Sequence, residues 1–325
     1  MTNMKSCHVS ISGFSLYTLS FCPAVASLAA CGTVPPPIGA PGAMRQPSAI
    51  ATNTARGKSW MLPEAKSHDL LYISDPGSSS IDVFTYPALN LVGTIGIEDP
   101  EGLCVDKTGD VFATSNEGSD ILEYAHGGTS PIANLIDENE SPRGCAISPR
   151  TGDLAVTNLD TYYSTVVVYR KARGSPQAYS IPSMGASFCG YDTDGNLFVD
   201  GGHNGQSLLA ELPFRSETFK MIQLERAIGA FGGVQWDGRH LAVGTFVSVY
   251  QIDVSGSSGR VVGVTPLSGS KGIFQFWIQG MTLIGPDLYA DDVGFWNYPL
   301  GGESTKTIPY LFSTPFGSTV SLARK

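Results

Sequence analysis

The side chains of this sequence that could hold an ion or move a proton are a scattered set of acids and amides with one well-placed imidazole. Glu101 sits in Pro100-Glu101-Gly102, His203 follows Asp200 in Asp200-Gly-Gly-His203, and Asp192-Thr-Asp194-Gly-Asn196 has the opening rhythm of a calcium loop. A divalent cation needs several oxygen ligands converging on one point, and hydrolysis through it needs an open position for water. A histidine beside an acid can shuttle a proton near neutral pH. Neither G-x-S-x-G nor H-E-x-x-H occurs, so esterase-elbow and zincin chemistry has no support. In the calcium-like segment the twelfth position is His203 rather than Glu. Asp, Gly and Asn are also what a tight hairpin turn demands, and the segment is read as a turn.

What positions these residues is a repeat. The apolar runs that begin at Leu71, Val111, Leu154, Leu197, Leu241 and Leu288 lie about 43 residues apart. Each is preceded by a turn (KTGD, RTGD, TDGN, WDGR, GPD) and, before that, by another apolar run (GLCVD, GCAIS, FCGYD, GGVQW, GMTLI). A third run and a fourth follow, as in DILEYAHG and IANLI, rich in β-branched and aromatic residues. Four short strands per unit, repeated six times, predict an all-β fold, a six-bladed β-propeller of four-stranded antiparallel blades. The first unit lacks a first strand, while the C-terminal PFGSTVSLARK has a first strand without a second. Residues 315–323 are therefore expected to pair into the N-terminal blade and close the ring, removing two open sheet edges.

In such a ring, the starts of the innermost strands and the ends of the second strands open on one face, around the channel mouth. The first set is Glu101, Arg143, Ser187, Phe231, Gln279 and Phe316; the second is Asp75, Ser115, Asn116, Asn158, Asp200, Asp291 and Asp292. The pattern P-x-G-apolar-x-V-D-x-x-G-D, clearest in residues 100–124 and weaker over 70–323, resembles the NHL-repeat and gluconolactonase-like (TolB-like) group of six-bladed propellers. That group contains lactonases, lyases and pure binding platforms. The resemblance implies that Glu101 occupies the place of a cation-binding glutamate in the lactonases, and that His203 matches the proton-moving histidine of a metal-assisted lyase.

The residues themselves weigh against a cation. The positions matching Glu101 in other units are Arg, Ser, Phe, Gln and Phe, and Arg143 in the adjacent unit would repel a metal and pair with Glu101. No cofactor is expected, with calcium or another divalent cation the alternative. The leading reading is a module that binds a protein, peptide or glycan through Glu101, Arg143, Asp75, Asn116, Asn158, Asp200, Gln279 and Asp292. The enzyme alternative is a metal-dependent lactonase or lyase in which Glu101, Asn158, Asp200 and Asp292 hold the cation and His203 moves a proton. Cys104, Cys145 and Cys189 fall on first strands. Because adjacent blades diverge and three is an odd count, they are read as small apolar filler rather than a disulfide. Trp277 and Phe295 are candidates for a stacking surface at the mouth.

Residues 1–31 carry one cation, Lys5, then a moderately apolar stretch ending in Leu28-Ala29-Ala30-Cys31, which resembles a bacterial lipobox with Cys31 as the lipidated residue. Ala24-Val25-Ala26 offers an ordinary cleavage site, and plain secretion, as the alternative. Residues 32–67, rich in Pro, Ala and Gly, read as a flexible spacer before a propeller over 68–325. Export to the cell envelope follows, with membrane contact only through the lipid and a monomer expected. Formal net charge is −9 with no Lys/Arg cluster, which argues against nucleic acid.

Overall fold

The computed structural model describes residues 59–324 apart from 139, 160–163, 182, 205, 230–231 and 309–311. Strands consecutive in sequence pair as antiparallel neighbours, giving five sheets. The first sheet runs from the axis outward as Ser318–Ser321, Leu70–Asp75, Ser80–Thr85, Leu91–Gly96 and Trp60–Met61. The second unit forms Pro100–Val105, Val111–Ser115, Asp120–Tyr124 and Pro131–Ile136; the third forms Pro142–Ile147, Leu154–Asn158, Thr165–Tyr169 and Gln177–Ser180. The fourth unit (Gly185–Tyr191, Leu197–His203, Gln206–Leu212, Lys220–Leu224) and the fifth (Val234–Trp236, Leu241–Thr245, Ser248–Ser255, Ser258–Ser268) share one nine-stranded sheet, whose ninth strand, Gly302–Glu303, pairs in parallel with Ser258–Ser268. They join where Gln223 and Leu224 pair in parallel with Ser258 and Gly259. The last unit forms Trp277–Gln279, Thr282–Asp287, Asp292–Asn297 and Lys306–Ile308.

The innermost strands close a ring. Ser318–Ser321, Pro100–Val105, Pro142–Ile147, Gly185–Tyr191 and Val234–Trp236 pack side by side in that order. Gln235 then donates to the Ile278 carbonyl (3.0 Å) and accepts from the Ile278 N–H (2.7 Å), and Trp277–Gln279 packs back onto Ser318–Ser321. The arrangement is a propeller-like ring of small antiparallel sheets. The C-terminal strand completes it as expected, with Ser321, Val320, Thr319 and Ser318 opposite Leu70, Leu71, Tyr72 and Ile73.

Sheets stacked on both sides explain why the second strands read as unbroken apolar runs. Alternate residues of a strand point to opposite faces. In Leu70–Asp75, where every residue is buried, Leu70 and Tyr72 pack against Leu103, Val111 and Ala113 of the second unit. Leu71 and Ile73 pack against Ile284, Val293 and Phe295 of the last. The hairpin turns carry glycine for a conformational reason: Gly109 and Gly152 hold φ of +86° and +76°, where a Cβ is strained.

Two boundaries differ from the sequence reading. Residues 59–67, assigned to the spacer, belong to the fold: Trp60 and Met61 pair with Thr94 and Gly93, and Ala65 is buried. In the last unit the second strand is Thr282–Asp287, not the run beginning at Leu288, which turns into the third strand instead.

Candidate functional site at the channel mouth

The mouth is built by a hydrogen-bond device that recurs around the ring. A polar residue near the end of the second strand receives an N–H from its own innermost strand and reaches across to the next unit. Ser74 accepts from the Gly317 N–H (2.8 Å) and donates to the Glu101 carbonyl (2.5 Å). Thr114 accepts from Gly102 (2.8 Å) and donates to the Arg143 carbonyl (2.8 Å). Thr157 accepts from Gly144 (3.0 Å) and donates to the Ser187 carbonyl (2.7 Å). In the fourth unit Asp200 accepts from Phe188 (3.0 Å) and, across the junction, from Gly232 (2.9 Å). The backbones come so close here that a Cβ at Gly144 would stand 2.8 Å from the Ser187 carbonyl oxygen, which accounts for the x-Gly start of Glu101-Gly102, Arg143-Gly144 and Phe316-Gly317.

This device fixes Glu101, Arg143, Ser187 and Phe316 at the rim. Arg143 Nε lies 3.6 Å from Glu101 Oε2, with side chains only 12% and 15% exposed. The guanidinium carbon stands 5.1 Å from the Phe316 ring centroid and 5.7 Å from those of Phe188 and Phe274, a cation–π arrangement on three rings. Burial raises the Glu101 carboxyl above its ordinary range, Arg143 opposes the rise, Asp99 adds to it and the Asn116 side chain offsets part of it. Glu101 Oε2, Arg143 Nε and Ser187 Oγ are buried without a hydrogen-bond partner.

The aromatic wall extends outward. Phe316 stacks on Phe274 at 5.3 Å, Phe274 meets Phe246 at 4.9 Å, and both contact Tyr289, which is 57% exposed. Beneath the mouth Gln275 crosses the channel, accepting from the Leu103 N–H (2.9 Å) and donating to the Leu103 carbonyl (2.8 Å).

The remaining residues singled out from sequence are engaged separately. Asp75 accepts the N–H groups of Ser313 and Thr314 at 2.8 Å each and latches the C-terminal segment. Asn158 donates to Asp137 (2.8 Å) and Thr165 (3.1 Å). Asp200 is fully enclosed, and burial drives its carboxyl well above the ordinary range despite the two amides and Arg143. Asn116 follows the Val111–Ser115 strand beside Glu101. His203 ends the Leu197–His203 strand, exposed and paired with Gln206. Asp292 opens the third strand of its sheet opposite Asp287, raised by burial and by that neighbouring charge.

Asp192–Asn196 is a hairpin turn in which the Asn196 N–H and side chain both donate to Asp192 (2.8 and 2.7 Å). Among the described residues no group of three or more His, Cys, Asp or Glu is placed to hold a metal.

Several assignments are corrected. Gln279 sits in the hairpin opposite Thr282, at the far end of its strand from the mouth, because Gly280 is a turn glycine (φ +61°) rather than an innermost-strand one. Phe274 holds the rim position instead. Phe295 is buried between the last and first units, and Trp277 lines the channel's other end. Cys104 and Cys145 form a disulfide with Cα atoms 5.7 Å apart, while Cys189 stays free and buried. Blades diverge outward, but their innermost strands almost touch. Phe231 and Cys31 lie outside the described residues. The wall of Phe188, Phe246, Phe274 and Tyr289 was missed; its only signal was aromatic residues flanking the innermost starts, as in GIFQF.

No protein-family model and no curated protein sequence matches the chain. Solved structures do. A nidogen/laminin complex matches with TM-score 0.66 at 14% identity, covering 79% of this chain and 100% of that one. A Bacteroides caccae protein of unknown function matches with TM-score 0.59 at 12% identity, covering 78% and 99%. Kuenenia stuttgartiensis hydrazine synthase matches with TM-score 0.54 at 14% identity, covering 77% and 80%. At such identities the likeness concerns architecture alone, and with the ring of antiparallel sheets it identifies the fold as a β-propeller.

Proposed function

We propose that the chain is an exported, six-bladed β-propeller, lipid-anchored through Cys31, that binds a protein or peptide at the Arg143 mouth. The blade count takes the nine-stranded sheet as two blades joined by the short parallel pairing of Gln223–Leu224 with Ser258–Gly259. The observation that carries the reading is Arg143 itself. A guanidinium occupies the mouth against Phe188, Phe274 and Phe316 and beside Glu101, where a metal-dependent lactonase or lyase would gather oxygen ligands. Arginine and aromatic side chains are the groups that dominate binding energy at protein interfaces. The nidogen/laminin likeness is to a protein–protein complex and supports a protein as the ligand class. The Cys104–Cys145 disulfide supports export, since disulfides persist in oxidising compartments.

Arrayed peptides and glycans probed with the full chain test the binding reading. Arg143→Ala and Tyr289→Ala are expected to weaken the captured ligand at least tenfold; Tyr289→Ala should lower thermal stability by no more than a few degrees, whereas Arg143→Ala leaves Glu101 buried without its partner and lowers it further. Retained affinity in both variants would move the binding surface away from the mouth. Stabilisation by calcium or zinc that disappears in Glu101→Gln would restore the metal-dependent reading. Incorporation of a clickable fatty acid, lost in Cys31→Ala, tests the anchor.

A further inference from the structure

The Gln275 side chain spans the channel beneath the mouth, bonded on both its amide atoms to Leu103. Behind the Gln275 bridge lies a cavity of about 400 Å³, within the range of small-molecule sites. Its wall is formed by the far halves of the innermost strands: Leu103, Ala146, Ile147, Val234 and Phe276 line it, together with the Cys104–Cys145 disulfide and the Cys189 thiol. Tyr191, Trp236 and Trp277 add aromatic surface to the lining. One end is shut by a side chain that already has its hydrogen bonds, so the space is a blind pocket rather than a pore.

Its chemistry is neutral. The carboxylate among its lining residues, Asp237, is committed elsewhere, accepting from the Tyr298 hydroxyl at 2.6 Å and from the Arg239 and His240 N–H groups at 2.8 and 2.6 Å. Gln235 is likewise spent on Ile278. No Lys or Arg lines the space. A charged ligand would therefore lose hydration without meeting an opposite charge, whereas a flat apolar one would meet indole, phenol and aliphatic surface on several sides, with the buried, unpartnered Trp236 Nε1–H beside it.

From this geometry we infer a second binding site, on the face opposite the mouth, for a small uncharged planar molecule of two or three fused or linked rings. The aliphatic and disulfide wall contributes apolar contact, and Trp236 and Trp277 stack on the ring faces. The site is independent of what the mouth binds.

The full chain is titrated with N-phenyl-1-naphthylamine, following probe emission and quenching of tryptophan fluorescence, to which Trp236 and Trp277 contribute two of the four tryptophans of the chain. Saturable binding of one probe per chain is expected. Ala146→Phe, which fills the cavity, should weaken it at least tenfold, and Trp277→Leu, at a half-buried position, should weaken it several-fold and remove most of the quenching. Arg143→Ala should leave it within twofold. Should Ala146→Phe fail to fold, Trp277→Leu and Trp236→Leu carry the test. Binding that does not saturate, or that is indifferent to all three cavity variants, overturns the inference. Loss confined to Arg143→Ala overturns it too, by placing the probe at the mouth.

Discussion

Thr157 shows how much a single hydroxyl does in this ring. It satisfies a buried N–H of its own sheet and a buried carbonyl of the next, so the near-isosteric Thr157→Val leaves both unpaired. Each orphaned buried group costs about 1–3 kcal/mol, giving an expected loss of about 2–6 kcal/mol in urea unfolding, while Thr157→Ser should stay within about 1 kcal/mol. Equal losses in the two variants would locate the effect in packing. The cysteines repeat in the same way. Cys145 points its sulfur at the Phe112 carbonyl and Cys189 at that of Ala155, each at 3.8 Å and each on the second strand of the preceding unit. Phe112 lies opposite Cys104 and Ala155 lies opposite Ala146, so Ala146 stands to Cys189 as Cys104 stands to Cys145. Burial, with Asp200 nearby, pushes the Cys189 thiol far up and keeps it protonated, so it does not attack the existing disulfide readily. In Ala146→Cys the missing partner is supplied, and peptide mapping without reduction is expected to find Cys189 joined to the introduced thiol with Cys104–Cys145 intact. A freely alkylatable Cys189 in the refolded, air-oxidised variant would contradict this equivalence.

At the scale of strands, the closing segment is the element on which the rest depends. Ser318–Ser321 covers the edge of Leu70–Asp75, and Asp75 latches the residues leading into it. Removing residues 313–325 would expose that edge and open the ring, so the truncated chain is expected to lose its cooperative thermal transition and to self-associate on gel filtration. A sharp transition in a soluble monomer would show that closure is dispensable. This closure was legible in the sequence, because PFGSTVSL repeats the x-Gly start of Pro100-Glu101-Gly102. The early hairpins were legible too, since a turn glycine at positive φ precedes each second strand. The last unit was not. It has no innermost x-Gly, Gln275 taking that place with an amide that crosses the channel, and the next glycine along the chain, Gly280, serves a different turn. Nor could the mouth's aromatic wall be read, because Phe188 comes from a strand and Phe246, Phe274, Tyr289 and Phe316 from segments between strands, far apart in the chain.

Across the whole molecule the acids whose titration is displaced move upward, with one exception. Burial, opposed by the Thr94 hydroxyl and helped by Asp75, lifts Asp82 to about 6; burial also raises Asp99, Glu101, Glu123, Asp137, Asp200 and Asp292. Asp237 goes the other way: burial works against it, but the Tyr298 hydroxyl, the His240 and Arg239 amides and the His240 ring outweigh it. A carboxyl raised in the folded state binds protons that the unfolded chain, with Asp near 3.9, has already released. Its contribution is fully present below the unfolded value and is lost as pH rises through the folded one. For Asp82 that window runs from about pH 4 to just above 6. The excess of acids, with a formal net charge of −9 at pH 7, acts in the same sense through self-repulsion. The urea midpoint is therefore expected to rise as pH falls from about 7.5 to about 5. Asp82→Asn keeps an acceptor for Thr94 and removes the ionisation, so it should stabilise the protein by about 1–3 kcal/mol at pH 7.5 and flatten the slope between pH 4 and 6. A midpoint that falls steadily over the same acidification, unchanged in slope by Asp82→Asn, would mean that the buried acids are held ionised by the fold rather than penalised by it.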